Sequence, residues 1–451
     1  MGKKLQWRLP EGVSMFFLLL LASVFLLGII DFQTVMQTKA ALFFGICGGY
    51  AGLMVLLLLE GVLVGSYSVK TLWEKIRPKT PMQIFLLLYL LFTVVSAVLS
   101  KYPQAVWLGA TRTEGALTIA IYILCAYWLS KFGKVPRWMI HLFGGASAVF
   151  GLLSILQLCG WNPFGLYPAG YNYYDGYKAY SGAYLGTIGN VDLVAAFLCI
   201  AIPILWIYLL RGKGKARFWL LLPLAMLLGV LLKMWVLAGL VGIFCGAVVS
   251  VAVVCPFGKK AQILYWSLLG GGVIAAVLIL YWIDFGGGML REIHLILQGQ
   301  ASETFGTGRL YIWKSVLNLV PKNLWFGTGP DTMIYANIQP FQRFDESLGM
   351  QLVSYIDTAH NEYLNILYHQ GVFALVSYLA MLGAAARQWF KSARANLGAA
   401  IFGGAVCCYL VQAFFGISQP IATPFFWACL GLLEYYCKRE DQPFLKKGGK
   451  Q

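Results

Sequence analysis

The stretch from Gly306 to Gly371 decides how the rest of the chain is read. It opens as Gly306-Thr-Gly308-Arg309-Leu-Tyr-Ile-Trp313 and passes through Pro321-Lys-Asn-Leu-Trp-Phe-Gly327-Thr-Gly329-Pro330. It closes as Thr358-Ala-His360-Asn361-Glu-Tyr-Leu, with Gly371 a little beyond. This is the longest polar interval in an otherwise apolar chain, and long hydrophobic segments flank it. A large loop kept between membrane helices usually serves binding or chemistry. The plainer alternative is a solvated connector, but connectors of this length are uncommon and this one is not low-complexity.

Working outward, 59% of the 451 residues are hydrophobic and only 12% are charged, against roughly 25% charged in soluble domains. The chain therefore reads as a polytopic membrane protein, a single membrane domain spanning 1–451. Twelve apolar runs have spanning length, from Ser14–Ile30 to Ile421–Cys437. The expected fold class is all-α with about twelve transmembrane helices. The first run follows Lys3, Lys4 and Arg8 without a clean cleavage site, so it reads as a retained helix and not a signal peptide. The ten cysteines form no C-x-x-C pair and mostly sit in apolar runs, as small core residues do.

Charge distribution sets the expected topology. With the N-terminus in the cytoplasm, alternate loops on that side collect about 24 of the 34 Lys and Arg residues, as the positive-inside rule requires. Both termini are then cytoplasmic. The net charge of +16 becomes a topology signal and not a nucleic-acid footprint. Two sizeable loops fall outside: 160–188, dense in tyrosine, and 286–361, between the ninth and tenth spans.

Few external residues carry useful chemistry. The Arg309 fork suits a phosphate or carboxylate and keeps its charge. His360, taken near its ordinary pKa, can accept a proton from a hydroxyl nucleophile. The plainer alternatives are an Arg snorkelling to the interface and a His at a helix end. Lys233 interrupts an apolar stretch at an external end, either snorkelling or serving as a second cation for a diphosphate. Arg112, in Arg112-Thr-Glu114-Gly115, stands at another external end with the same two readings. In the Tyr-rich loop, Tyr174 and Tyr180 are candidates for stacking on sugars, the alternative being an interfacial aromatic belt. His369 lies nine residues past His360, nearly the opposite helix face, and is not expected to share its site. His141 reads as structural. The Gly-x-Gly pairs at 306/308 and 327/329 read as tight turns. There is no H-E-x-x-H, Walker-type loop or dinucleotide fingerprint, so no metal or nucleotide cofactor is expected.

The ordered set Gly308-Arg309-x-x-x-Trp313, then Pro321 with Trp-Phe-Gly-Thr-Gly329, then His360-Asn361 and Gly371, resembles the O-antigen ligase and O-antigen polymerase superfamily. Upstream, Gly186-Thr-Ile-Gly-Asn190-Val-Asp192-Leu-Val-Ala is similar to its Gly-Thr-x-Gly-Asn-x-Asn segment, and Trp107 to Gly115 to its Gly…Arg…Gly segment. The resemblance implies a GT-C-like membrane glycosyltransferase in the cytoplasmic membrane of a bacterium. Its partners would be an undecaprenyl-diphosphate-linked glycan donor, a glycan, lipid or protein hydroxyl acceptor, and membrane lipid. By motif match His360 and Arg309 are the implied catalytic residues, with Lys233, Arg112, Asn361, Asn190, Asp192, Tyr174 and Tyr180 as candidates for substrate binding. Three positions depart from the family pattern. Lys233 and Trp235 stand where Ser-Arg is usual, Asp192 replaces an Asn, and Ala374 replaces a Gly. A transporter or flippase of lipid-linked sugars and a catalytically degenerate family member are the competing readings. No inverted repeat of the transporter kind is visible.

Overall fold

The computed structural model describes residues 7–29, 35–166, 184–255, 258–286, 288–300, 305–345 and 350–438. Each of the twelve apolar runs falls on a helix, because in lipid a backbone must satisfy its own N–H and C=O groups. In chain order the helices are α1 (Arg8–Phe25), α2 (Val35–Leu63), α3 (Val69–Ile76), α4 (Pro81–Leu99), α5 (Ala116–Phe132), α6 (Arg137–Leu158), α7 (Val191–Arg211) and α8 (Lys215–Met234). They continue as α9 (Leu237–Val254), α10 (Lys259–Trp282), α11 (Gly288–Leu297), α12 (Phe305–Leu319), α13 (Glu362–Ser392), α14 (Leu397–Ala413) and α15 (Thr423–Cys437). The described residues also hold two small antiparallel hairpins, β1 (Tyr184–Leu185) with β2 (Gly189–Asn190) and β3 (Phe341–Asp345) with β4 (Met350–Ser354).

Among the described residues nine helices are long and apolar enough to cross a membrane: α1, α2, α4, α6 to α10, and α13. The other three expected spans, α5, α14 and α15, are helices of 17, 17 and 15 residues. At 1.5 Å per residue they reach about 23–26 Å, short of a hydrocarbon core of about 30 Å. The chain is thus a mostly helical, multi-pass membrane protein. Its helix starts are written in polar caps. Thr80 accepts from the Gln83 N–H ahead of Pro81, Asn190 opens α7, Asn361 opens α13 and Asn396 opens α14.

Helix α7 is the centre of the bundle, buried along most of its length and packed against α8, α9 and α14. Helix α13 packs on α4, and α15 on α5. Helix α10 has no buried residue, so its apolar surface is left to the surrounding lipid.

The two ends of the bundle differ in chemistry. At one end basic side chains tie loops together. Lys131 donates to the Arg77 carbonyl at 2.6 Å, and Arg211 donates to the carbonyls of Ala393 and Arg394, both at 2.6 Å. At the opposite end the segments following α4 and α14 and preceding α7 and α13 converge. There Ser100 donates to the Thr328 carbonyl at 2.6 Å and Ser418 to Glu114 at 3.2 Å.

The polar interval 286–361 sits at this second end, and it is not a loose connector. It contains α11, α12 and the β3–β4 hairpin. It also has a core of its own, in which Ile312, Val316, Val320, Met333, Ile356 and Ala359 pack against Tyr368 of α13. Its glycines act where turns require them: Gly306, Gly308, Gly327 and Gly329 all have positive φ. Gly371, at φ 83°, breaks α13. The carbonyls of Tyr368 and His369 freed by the break accept from the N–H groups of Thr328 and Gly329, at 3.1 and 2.8 Å. A Cβ on Gly371 would run into the Trp325 carbonyl.

Candidate functional site

Arg309 stands at the start of α12, just past the glycine turn. One guanidinium nitrogen donates to the Gly306 carbonyl at 3.0 Å, and another lies 3.9 Å from Asp192 Oδ2. Nε is buried and has no hydrogen-bond partner. The fork is therefore only loosely engaged, and a buried unsatisfied donor next to a long ion pair is a group prepared for a further acceptor. Asp192 is held by the turn before α7: Gly186 and Gly189 fold the β1–β2 hairpin, and Asn190 Oδ1 accepts the Asp192 N–H at 2.8 Å. Asn190 is thus a helix cap, and Asp192 faces the arginine.

His360 is the last residue before the α13 cap, and its φ of 47° is rare for a side-chain-bearing residue. Its neighbours hold it there. Asn361 Oδ1 accepts from the Leu364 N–H at 2.9 Å, Asn365 Oδ1 from the Ala359 N–H at 2.8 Å, and Asn365 Nδ2 donates to Thr358 at 2.7 Å. The indole N–H of Trp313 donates to the Ala359 carbonyl at 2.9 Å. Trp313 is four residues past Arg309 and so on the same face of α12. The helix bearing the arginine is therefore clamped beside the histidine. Asn361, expected as a substrate ligand, is found as the cap of α13.

Arg112 enters from the segment between α4 and α5. Its fork is taken up by Asp357, with Nε to Oδ2 at 2.9 Å and a terminal nitrogen to Oδ1 at 2.8 Å. Its backbone is fixed by Asp331, which accepts from the N–H groups of Thr111 and Arg112 and from the Thr111 hydroxyl. Gly109 is required at this crossing, since at φ 103° a Cβ would meet the Asp331 carboxylate. Asp357, Asp331, Glu114, Glu362 and His369 line a cleft beside Arg112, together with Tyr89, Tyr122 and Trp427.

These charges set the protonation of the site. Burial, reinforced by the Arg112 and Arg309 guanidinium ions and partly opposed by Asp357, pushes His360 down to about 3. This corrects the expectation of an ordinary histidine: the imidazole is neutral and weakly basic. Burial pushes the Asp357 carboxyl up, but the charge and hydrogen bonds of Arg112 outweigh it and hold Asp357 below the usual carboxylate range.

The structure brings Arg309, Asp192, His360 and Arg112 to one end of the bundle. Lys233, in the last turn of α8, is exposed and has no ion pair among the described residues. The α8–α9 turn nevertheless reaches the same end, since Gly239 packs on Ala195, one turn beyond Asp192. Tyr174 and Tyr180, with most of the Tyr-rich loop, lie outside the described residues. His369 lines the cleft with Nδ1 3.0 Å from the Gly329 carbonyl. His141 accepts from the Trp219 indole at 2.8 Å, as a packing residue would. Sequence reasoning missed Asp331, Asp357 and the clamp made by Trp313. The only signal for the last was the four-residue spacing to Arg309.

Among the described residues no cluster of three His, Cys, Asp or Glu side chains is arranged to hold a metal. A family model described as O-antigen ligase matches residues 234–379. Over this segment the chain is similar to the O-antigen ligase family. The matched residues include Arg309, Trp313, Gly327, His360 and Gly371, while Arg112, Asn190 and Asp192 reach the O-antigen ligase segment from outside it. No curated protein matches the chain.

Proposed function

We propose that this membrane protein of the O-antigen ligase and polymerase type transfers or polymerises a glycan carried on undecaprenyl diphosphate. The acceptor is a hydroxyl of a glycan, lipid or protein at the outer face of the cytoplasmic membrane. The observation that carries the reading is the clamping of Arg309 and His360 beside each other at the bundle end remote from the basic loops. In the reaction the acceptor oxygen bonds to the anomeric carbon and the anomeric C–O bond to the diphosphate breaks. The electron pair leaves on the diphosphate, and the hydroxyl proton passes to His360 Nδ1 or Nε2. Attack from the face opposite the diphosphate inverts the anomeric centre. Arg309 offsets the developing charge with its loosely held fork. The leaving group is already activated, so no step calls for a nucleotide or a metal.

A diphosphate beside Arg309 also changes His360. Negative charge there counters the guanidinium ions that depress the imidazole, so donor binding raises its basicity when a proton must be taken.

The test is a transfer assay with purified protein and a labelled lipid-diphosphate glycan. Arg309→Ala is expected to weaken donor binding at least about 10-fold and to lower turnover about 100-fold or more, the scale of losing a preorganised charge at a leaving group. His360→Ala is expected to keep donor affinity and lose about 100-fold or more in turnover. Normal product from both variants would remove the assignment. Donor binding without turnover in the unmodified protein would mark a degenerate member, a reading favoured by the exposed Lys233 where the family has an arginine.

A further inference from the structure

We infer that Arg112 and Asp357 form a positioning pair that sets the His360 segment, and that Arg112 is not a diphosphate ligand. The inference rests on the reading of His360 as the group facing the acceptor. Its first support is geometry: a two-point Arg–carboxylate contact fixes direction as well as distance, and here both contacts are under 3 Å. The second is anchorage at both ends. Arg112 is locked from behind by Asp331 on its own N–H. Asp357 begins the turn that Asn365 and Trp313 tie down two residues later, at Ala359.

The third support is need. A non-glycine residue at φ 47° persists only where its surroundings over-determine it. The Arg112–Asp357 pair is the tie that runs from this turn to the α4–α5 segment, 245 residues away in sequence. The pair is also close to charge-neutral as a unit, which weakens the pull of Arg112 on a diphosphate. Arg309, with its unpartnered Nε and its carboxylate 3.9 Å away, is less neutralised. The Trp107–Gly115 segment thus serves the site by bracing it.

The test uses full-length Asp357→Asn, Arg112→Gln and Arg112→Lys, each checked for a monodisperse peak and a melting transition. Two readouts are taken. The first is the split between turnover and the affinity for radiolabelled undecaprenyl diphosphate. The second is the rate of His360 modification by diethyl pyrocarbonate, resolved by peptide mass spectrometry, which needs no turnover. Asp357→Asn and Arg112→Gln are each expected to lower turnover about 10- to 100-fold, the cost of an ångström-scale misplacement. Ligand affinity should change less than about 3-fold and His360 modification should accelerate, with Arg112→Lys restoring part of both. Pairing Asp357→Asn with Arg112→Gln should add little to either single change.

A 10-fold weaker affinity in Arg112→Gln with turnover retained would make Arg112 a ligand and overturn the inference. Wild-type turnover and wild-type His360 modification in Asp357→Asn would overturn it too. Should the unmodified protein show no glycan transfer, the modification rates still decide whether the pair holds His360, so the two readings fail separately.

Discussion

His360 is placed where its chemistry depends on what binds. It is held near 3 by burial and by two guanidinium ions, so it is uncharged across the physiological range. The pH dependence of kcat/KM reports the free enzyme and that of kcat the donor complex. The acid limb of kcat/KM should therefore lie well below pH 6, and that of kcat should lie at higher pH because the bound diphosphate counters the arginines. Coincident limbs near 6.5 would show an unperturbed histidine. The same depression has a stability sign. Between about 3 and 6.5 the unfolded chain binds the proton that folded His360 refuses. His360 therefore costs stability progressively as pH falls through that window and costs nothing above it. Arg309 and His360 were readable in the sequence as residue types that suit a diphosphate and a hydroxyl. Asp331 and Asp357 were not, because an isolated aspartate in a polar loop carries no pattern. Their meaning comes only from Arg112, more than two hundred residues away.

At the scale of elements, the break in α13 joins two pieces that look unrelated in the sequence. The Trp325-Phe-Gly-Thr-Gly329 turn docks into the gap at Gly371, and Val372 donates its N–H to the Leu324 carbonyl at 2.8 Å. Gly371→Ala places a Cβ against the Trp325 carbonyl at a φ that only glycine holds without strain. The expected loss is at least about 2 kcal/mol, seen as a lower melting temperature in detergent. Gly383→Ala, in the same helix but facing open space, should be neutral or slightly stabilising. The positive φ at 306, 308, 327 and 329 falls on glycine pairs set among polar residues, where a turn is the natural reading, which is why those turns were legible. The Trp313 clamp was half-legible: helical spacing put it on the face of Arg309, but its acceptor, the Ala359 carbonyl, belongs to a distant turn.

For the whole molecule, each of the twelve apolar runs falls on a helix, nine of them of spanning length among the described residues, because lipid leaves a backbone few alternatives. Hydropathy did not foresee that α5, α14 and α15 are short; past Ala413, for one, the apolar residues Phe414, Phe415 and Ile417 continue after the helix has ended. Nor did it show that the 286–361 segment packs its own core. The proposed topology places Arg309, His360 and Lys233 outside, with Lys131, Arg211 and Lys438 inside. Single cysteines at Lys233 and at the exposed Lys213, in a cysteine-free background, should differ in labelling by an impermeant maleimide on intact cells: Lys233→Cys labelled, Lys213→Cys protected. The reverse pattern would put the site on the inner side, away from a donor on the outer face.

The most direct measurement is an experimental map of the full-length protein with undecaprenyl diphosphate bound. The expected density places the diphosphate within about 3 Å of the Arg309 guanidinium, the distance of a charge-assisted hydrogen bond. The His360 imidazole should face the position of the anomeric carbon, and Arg112 should still be joined to Asp357. A diphosphate seated at the basic end of the bundle, or Arg309 and His360 turned apart around it, would contradict the mechanism.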